Sequence, residues 1–530
     1  MKRAFFASLA LIAVGLMAGC GGGPSGCLLG CGGTPQPNAL NGQYAFVLTG
    51  FDTNSSGAAV NPVSMAGSFK ADGLGHITAG KVDVNDNGTQ SSSTSLTGTY
   101  AFDANGLGAL VTVALTNSVG TLSHPLQFGI ALQAGGAFGD IMSLDANDFI
   151  VGGTIQQQNS SVFSLSSLAA DYIITLNGRN AASPTSALGR FTLDASGAGT
   201  NVIFDRSIAG FGTAGPTTGA SAGITFASTG PDSNGRGALT VTINDALAPA
   251  FGTHNFVYYA ITANRFVAVE TDSTGTMIAD GSRQTTLSSF TAATVNTAGG
   301  VFGVAGIDTS ASNEISAVGQ FIISGSNSAT LHFDFNDNGN NVGPINLNNL
   351  PVAFDPTSGR GTIAVASGFS NGLFDSAVFY LTASGTGFVL DAEPGTNNRA
   401  MAGTLSSQSG SPFALSTIPG QMILRTRSSS VNDALTWVGT IAPTTTPGVY
   451  AFDIDERFPT TAFGSFTTAA DGGFSGNTVL NLDPSTGRGT LSIPFFGATE
   501  VFYVIGANQM VFIDVTPGGG SSPLFFVSPF

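Results

Sequence analysis

The chain of 530 residues has three cysteines, at 20, 27 and 31, and none in the 499 positions that follow. Disulfides and thiol chemistry are thereby excluded from the body of the protein, and its stability must come from burial. Lysine occurs only at positions 2, 70 and 81, and charged residues make up 9% of the chain with a net charge of -16. Nothing in such a chain neutralises a row of phosphates, so nucleic acid is excluded as a partner. Tryptophan occurs once and tyrosine eight times against 40 phenylalanines. Aromatic platforms of the kind that grip sugars are therefore scarce, and the aromatic surface suits cores. Past residue 20 no apolar run is long enough to span a bilayer as a helix. Convincing helical periodicity is also absent beyond that point.

What is there begins with "MKRAFFASLALIAVGLMAGC". Lys2 and Arg3 form a charged n-region, Ala4 to Leu16 an apolar h-region, and Met17-Ala18-Gly19-Cys20 a cleavage box, which marks residues 1–19 as a signal peptide. The segment resembles the leader of bacterial lipoproteins, although Met17 stands where that box usually has Leu. The resemblance implies that Cys20 becomes the lipidated N-terminus, that the protein is exported and anchored in the cell envelope, and, since Gly21 rather than Asp follows, that it is sorted to the outer membrane. "LLGC", ending at Cys31, is a rival box separated from the apolar run by "GGGPSG". Residues 20–40 read as a Gly/Pro-rich flexible tether.

The remaining length is too great for one core, and it repeats. A turn recurs as "DANGLG" (103–108), "DSNGRG" (232–237), "DPTSGRG" (355–361) and "DPSTGRG" (483–489), with first glycines at 106, 235, 359 and 487. Each turn precedes an apolar, Thr-rich strand. Upstream, a strand starts at Gly67/Phe69, Gly189/Phe191, Gly319/Phe321 and Gly439/Ile441. Downstream, Phe128, Tyr258, Phe379 and Phe502 are each followed twelve residues later by an acid. The period is one domain long and predicts four β units, at 41–160, 163–286, 287–408 and 413–530. About eight short strands fill each unit, with alternation as in Val82-Asp83-Val84 giving one apolar and one polar face. The expected fold is all-β, with each unit an up-and-down antiparallel barrel. In pattern the units resemble calycin barrels, the lipocalin and avidin architecture, without the lipocalin Gly-x-Trp signature. A β-sandwich or paired propeller blades would give a similar pattern.

"DVNDNG", from Asp83, puts Asp83, Asn85, Asn87 and Gly88 at calcium-loop positions 1, 3, 5 and 6, and Asp334, Asn336, Asn338 and Gly339 repeat the spacing. The bidentate Glu of position 12 is replaced by Thr94 and Ile345, and the other two repeats read "DRSIAG" and "DIDERF". A tight hairpin turn is the favoured reading. No specific metal or cofactor is expected, and calcium binding at these loops would be weak.

Two recurrent sets of acids stand out. Asp83, Asp205, Asp334 and Asp453 fall on the third strand, and Asp140, Glu270, Asp391 and Asp514 on the seventh. Paired carboxylates are glycosidase equipment. Four degenerate copies fit a structural device better, with the acids capping turns or pairing with Arg236, Arg360 and Arg488. His76, His124, His254 and His332 lie at no metal-ligand spacing. "GFGTAG" (210–215) and "GASAG" (219–223) match dinucleotide and nucleophile-elbow patterns by composition alone, with no following helix. The sequence therefore points to a non-enzymatic, lipid-anchored envelope protein with a structural, adhesive or display role. The alternatives are barrels that bind a small apolar ligand and, third, a hydrolase built on the recurrent acids. Expected partners are the membrane, through the lipid, and either an envelope or surface partner or that apolar ligand.

Overall fold

The computed structural model describes residues 40–529 except 55–57, 103–109, 121–125, 145–148, 182, 286–298, 308–313, 325–326, 356, 365–375, 384, 393–398, 419, 428–433, 458–463, 467–476, 495–496 and 517–523. The leader, Cys20, residues 21–39 of the tether, the turn 103–108 of the first unit and His124 lie outside the described residues, and Leu40, placed at the end of the tether, is buried in the core of the first barrel.

Alternating Val/Ile/Phe runs punctuated by Asx-Gly turns fold as antiparallel strands joined to their sequence neighbours. Residues 41–157 form a closed eight-stranded barrel, and residues 300–407 form another, both with strands in sequential order. The strands of 170–283 make a nine-stranded sheet whose ends approach each other, with an Ala198–Thr225 bridge that nearly closes it. In the fourth sheet, 422–529, the pairings also return to their start, because Thr436–Pro443 pairs with Val449–Arg457 as well as with Met422–Arg427. Sequential, self-closing order excludes two facing sheets or propeller blades for the two closed barrels.

Among the described residues the interiors are packed with aromatic and aliphatic side chains. In the first barrel Phe46 meets Phe128 with ring centroids 5.4 Å apart, and in the second sheet Phe226 meets Phe266 at 5.3 Å. The last glycine of each described turn forms a cross-strand pair with the downstream recurrent aromatic inside these cores. Gly237 lies opposite Tyr258, Gly361 opposite Phe379 and Gly489 opposite Phe502, and a Cβ on any of these glycines would sit 2.5 Å or less from the ring. Within the fourth sheet a void of about 10 Å³ remains, walled by Met422, Tyr450, Phe502 and Phe512 among others. That is room for about one water and has no polar group to hold it.

The expectation of a polar outer face fails on the sixth strands. Phe256 to Ile261 are all buried. Phe256, Tyr258 and Ala260 face the core of their own sheet, while Val257, Tyr259 and Ile261 pack on Ala45, Val47 and Ala66 of the first barrel. The same kind of seam joins second to third through Ile173, Leu188, Val378 and Tyr380, and third to fourth through Val301, Val318, Tyr503 and Val511. A last seam joins fourth to first, where Ile423 and Val438 meet Ala131 and Met142. Each uses the first two strands of one sheet and, from the next, the strand carrying the downstream recurrent aromatic together with the strand after it, so the contacts run in a closed cycle.

Candidate functional site

The turns that run from an aspartate to Gly-Arg-Gly place the seam chemistry. In "DSNGRG" the Asp232 carboxylate accepts from the backbone N–H of Asn234 at 2.8 Å and of Arg236 at 3.2 Å, and Gly235 takes φ +74°. Asp355 and Asp483 cap their turns likewise, with Gly359 at +71° and Gly487 at +72°. An Asx cap followed by a left-handed glycine is a local instruction, and it projects the arginine out of its own sheet.

There the arginine meets an aspartate of the preceding sheet. Arg236 donates Nε and Nη2 to Asp83 at 2.8 Å each, and Tyr259 donates its hydroxyl to the same carboxylate at 2.6 Å. Arg360 holds Asp205 at 2.7 and 2.7 Å, with Tyr380 at 2.6 Å. Arg488 holds Asp334 at 2.7 and 2.6 Å, with Tyr503 at 3.0 Å. The three aspartates are 1 to 5% exposed, so each contact is two-pronged and charge-assisted, with a buried carboxylate and an arginine that keeps partial access to water. Hydrogen bonding to Asp83 holds the Arg236 guanidinium above its usual range, and burial followed by the adjacent aspartate raises the tyrosine hydroxyls well above theirs.

Glutamines at the repeat junctions add a second device. Gln158 donates to the carbonyls of Asn234 and Ala260, Gln284 to those of Ser358 and Leu381, and Gln408 to those of Thr486 and Val504. The sequence reading missed these residues, although their spacing matches the repeat. Each grips the carbonyl that precedes the turn glycine of the next unit.

The calcium-like stretches are two-residue hairpins. Asp86 pairs with Thr89 around Asn87 and Gly88, at φ 47° and 89°, and Asn338 and Gly339 repeat this at 50° and 87°. Asn85 accepts from Gly88 N at 2.8 Å and donates to the Glu270 and Gly275 carbonyls of the second sheet, while Asn336 accepts from Gly339 N at 2.6 Å and donates to the Asp514 carbonyl. With Asp83 and Asp334 committed to arginines, the would-be ligands serve the turn and the seam.

Register corrects two of the repeat assignments. Asp83, Asp205 and Asp334 sit opposite the residue before the strand glycine, Ala66, Leu188 and Val318. In the fourth sheet that place, opposite Val438, belongs to Asp455, and Asp453 pairs with Thr440. Among the seventh-strand acids, Glu270, Asp391 and Asp514 lie opposite Phe256, Ala377 and Glu500, two residues before the aromatic. Asp140 instead lies opposite Ala131, because the first barrel's hairpin from Leu126–Leu132 to Phe138–Ser143 is longer. Counting residues could not see that extra loop. Asp140 consequently faces outward into the closing seam, 3.0 Å from Nε of Arg425. The two sets do not converge as a carboxylate pair, since one faces the seams and Glu270, Asp391 and Asp514 share faces with core residues.

The closing seam is built differently. Gly129 occupies the place of Tyr259, Tyr380 and Tyr503, and its Cβ position lies 2.9 Å from an Asp455 carboxylate oxygen. Leu107 stands in sequence where the other turns carry arginine.

One polar plug sits at an end of the second sheet. Arg206, fully buried, donates Nε to Asp245 at 2.7 Å and lies over the Phe251 ring. Beside it His254 Nδ1 contacts Glu270 at 2.5 Å and Nε2 donates to the Phe251 carbonyl at 2.7 Å. His254, Glu270 and Asp272 are, among the described residues, a group close enough to share a cation. They do not fit one as arranged: donors about 2.0–2.2 Å from a zinc ion would stand roughly 3 Å or more apart, and both Asp272 oxygens already accept from Asn255. His76 contacts Asp72 and His332 contacts Asn346, both at exposed positions.

Where the sheets meet lies a cavity of about 260 Å³. Residues from all four sheets line it, including Thr49, Arg179, Arg265, Asp280, Thr404 and Arg425. Arg265 reaches from the second sheet to Gln156 of the first at 3.0 Å, and pairs with Asp280 at 2.7 Å. Burial lowers the pKa of Arg425, opposed by Asp140 and reinforced by the nearby Arg265 charge.

No family model matches the chain, and no curated protein matches it. Among solved structures it is similar to a protein of unknown function from the DUF3598 family of Nostoc punctiforme, at 10% identity over 47% of this chain and 99% of that one, with a TM-score of 0.13. It is also similar to CghA with Sch210972, at 8% identity over 92% of this chain and 87% of that one, TM-score 0.14, and to intact Ap-TbpB, N and C lobes, at 7% identity over 74% and 82%, TM-score 0.14.

Proposed function

We propose that this chain is an exported, lipid-anchored protein of the bacterial cell envelope whose four β domains form a non-catalytic platform for display or adhesion. The observation that carries the reading is the threefold recurrence of the Asp–Arg–Tyr contact across successive seams. Conserving one joint while the rest of the units diverge is the economy of a scaffold, in which geometry between domains matters more than chemistry within them. Packed cores leave little room for an apolar ligand in the described interiors, and Asp83, Asp205, Asp334 and Asp140 are occupied by arginines across the seams. Anchoring rests on the leader and on Cys20, and the Gly/Pro-rich stretch 20–40 would hold the platform off the membrane.

The test is metabolic labelling with radioactive palmitate in a bacterial host expressing the full chain, followed by membrane fractionation and protease shaving of intact cells. Label on the wild-type protein that is lost in Cys20→Ala, together with release of that variant from the membrane fraction, supports anchoring. Label that persists in Cys20→Ala, or is never incorporated, sinks it. Digestion on intact cells supports display, and complete protection argues for a periplasmic scaffold instead.

A further inference from the structure

The lining of the central cavity inverts the charge balance of the chain. The protein carries 16 basic and 32 acidic residues, yet the cavity wall has three arginines, Arg179, Arg265 and Arg425, against the single acid Asp280. Arg265 and Arg425 come from different sheets and are close enough for their charges to interact. Arg265 is paired with Asp280 and Arg425 with Asp140, so two nearby carboxylates only partly offset three guanidiniums in a partly desolvated space, and an anion among them would complete the balance. We propose that this cavity binds a small oxyanion of the carboxylate or phosphate class, held by Arg179, Arg265 and Arg425.

Guanidinium suits the task. Each offers five N–H donors in a planar fork that matches carboxylate and phosphate oxygens, so an arginine already paired on one edge retains donors for another partner. Arg265 uses its contacts to Asp280 and Gln156 to fix its position, and Arg425 is held through Nε by Asp140. Thr49, Thr175, Thr185 and Thr404 also line the wall. The volume of about 260 Å³ lies just under the range of roughly 300–1,000 Å³ usual for drug-sized ligands, which favours a compact anion. Because the wall draws on all four sheets, an occupant would tie the cycle together, including the closing seam that lacks the Arg–Tyr contact.

The experiment is isothermal titration calorimetry of the full-length chain in detergent with citrate and with inorganic phosphate as probes, chloride serving as the control anion. The expected result is saturable binding of one anion per chain by at least one probe, weakened about tenfold or more in Arg179→Met and in Arg425→Met. Lys70→Met, an exposed cation elsewhere, should leave the affinity within about twofold. Arg179→Lys keeps the charge but not the planar fork and should bind between wild type and Arg179→Met, which keeps the idea open to refutation should a methionine variant fail to fold. Preference for citrate or for phosphate identifies the anion, and either supports the proposal. Absence of saturable binding by both probes, equal loss in Lys70→Met, or affinity unchanged in the folded arginine variants overturns it.

Discussion

Replacing Asp205 by alanine isolates what one seam contact contributes. The carboxylate is 1% exposed, and it is the shared acceptor of Arg360, at 2.7 Å to both Nε and Nη2, and of the Tyr380 hydroxyl at 2.6 Å. Its removal leaves an arginine with 17% side-chain exposure and a fully buried phenol without their partner. Breaking a buried pair from one side costs about 3–5 kcal/mol. The residual exposure of Arg360 lets water reach one edge, so the lower end, about 3 kcal/mol, is expected. Replacing all three by Leu, Met and Phe should be nearly neutral, because no charge or hydroxyl is then stranded. The assay is urea unfolding followed by circular dichroism and by tyrosine fluorescence, with Asp205→Ala and Arg360→Met combined in a double-mutant cycle. A coupling energy of about 1–3 kcal/mol is expected, along with loss of coincidence between probes as the second and third sheets begin to unfold separately. Strict additivity, or a cost below about 0.5 kcal/mol for Asp205→Ala, would refute the view that these contacts hold the seams.

Three further outcomes follow from the geometry. Gly88→Ala should destabilise by roughly 1–3 kcal/mol in thermal melts, since Gly88 has φ +89° and an added Cβ would lie 2.5 Å from the Ser273 carbonyl oxygen of the next sheet; calcium titration should leave the wild-type melting temperature unchanged. Asp140 is pushed up to about 7 by burial, which Arg425 only partly offsets. Its folded pKa is thus above its unfolded value, so its contribution is fully present below about pH 4 and is lost as pH rises through about 7, by up to roughly 1.4 kcal/mol per unit; Asp140→Asn should flatten that part of the stability profile. Gln284→Ala should cost about 1–3 kcal/mol by chemical denaturation, because two buried carbonyls, of Ser358 and Leu381, lose a donor.

Local rules wrote much of this protein legibly. The Asn-Gly hairpins, the Asx-capped glycine turns and the glycines facing aromatic rings each depend on residues a few positions apart or on one strand pairing, and the repeat of those signals at domain-length spacing gave the strand order of the closed barrels. The supply of phenylalanine pointed to aromatic interiors but left open whether they were packed solid or shaped for an apolar ligand. Only tertiary structure decided what faces the outside of each sheet. Arg236 and Asp83 are 153 residues apart, and no periodicity distinguishes an arginine that caps its own turn from one that crosses to a neighbouring sheet. Register was likewise beyond a count: a longer hairpin in the first barrel displaced Asp140 from the place held by Glu270, and Asp455 rather than Asp453 took the seam position in the fourth sheet. The cavity is the clearest case, since Arg179, Arg265 and Arg425 belong to no common motif: the first two share the second sheet, and Arg425 of the fourth is brought beside them by the packing of whole sheets. Sequence by itself determined strands, turns and cores, because those are set by short-range sterics and by alternation. Which charges meet was set by how whole sheets pack, a property of surfaces that form only after the strands have paired.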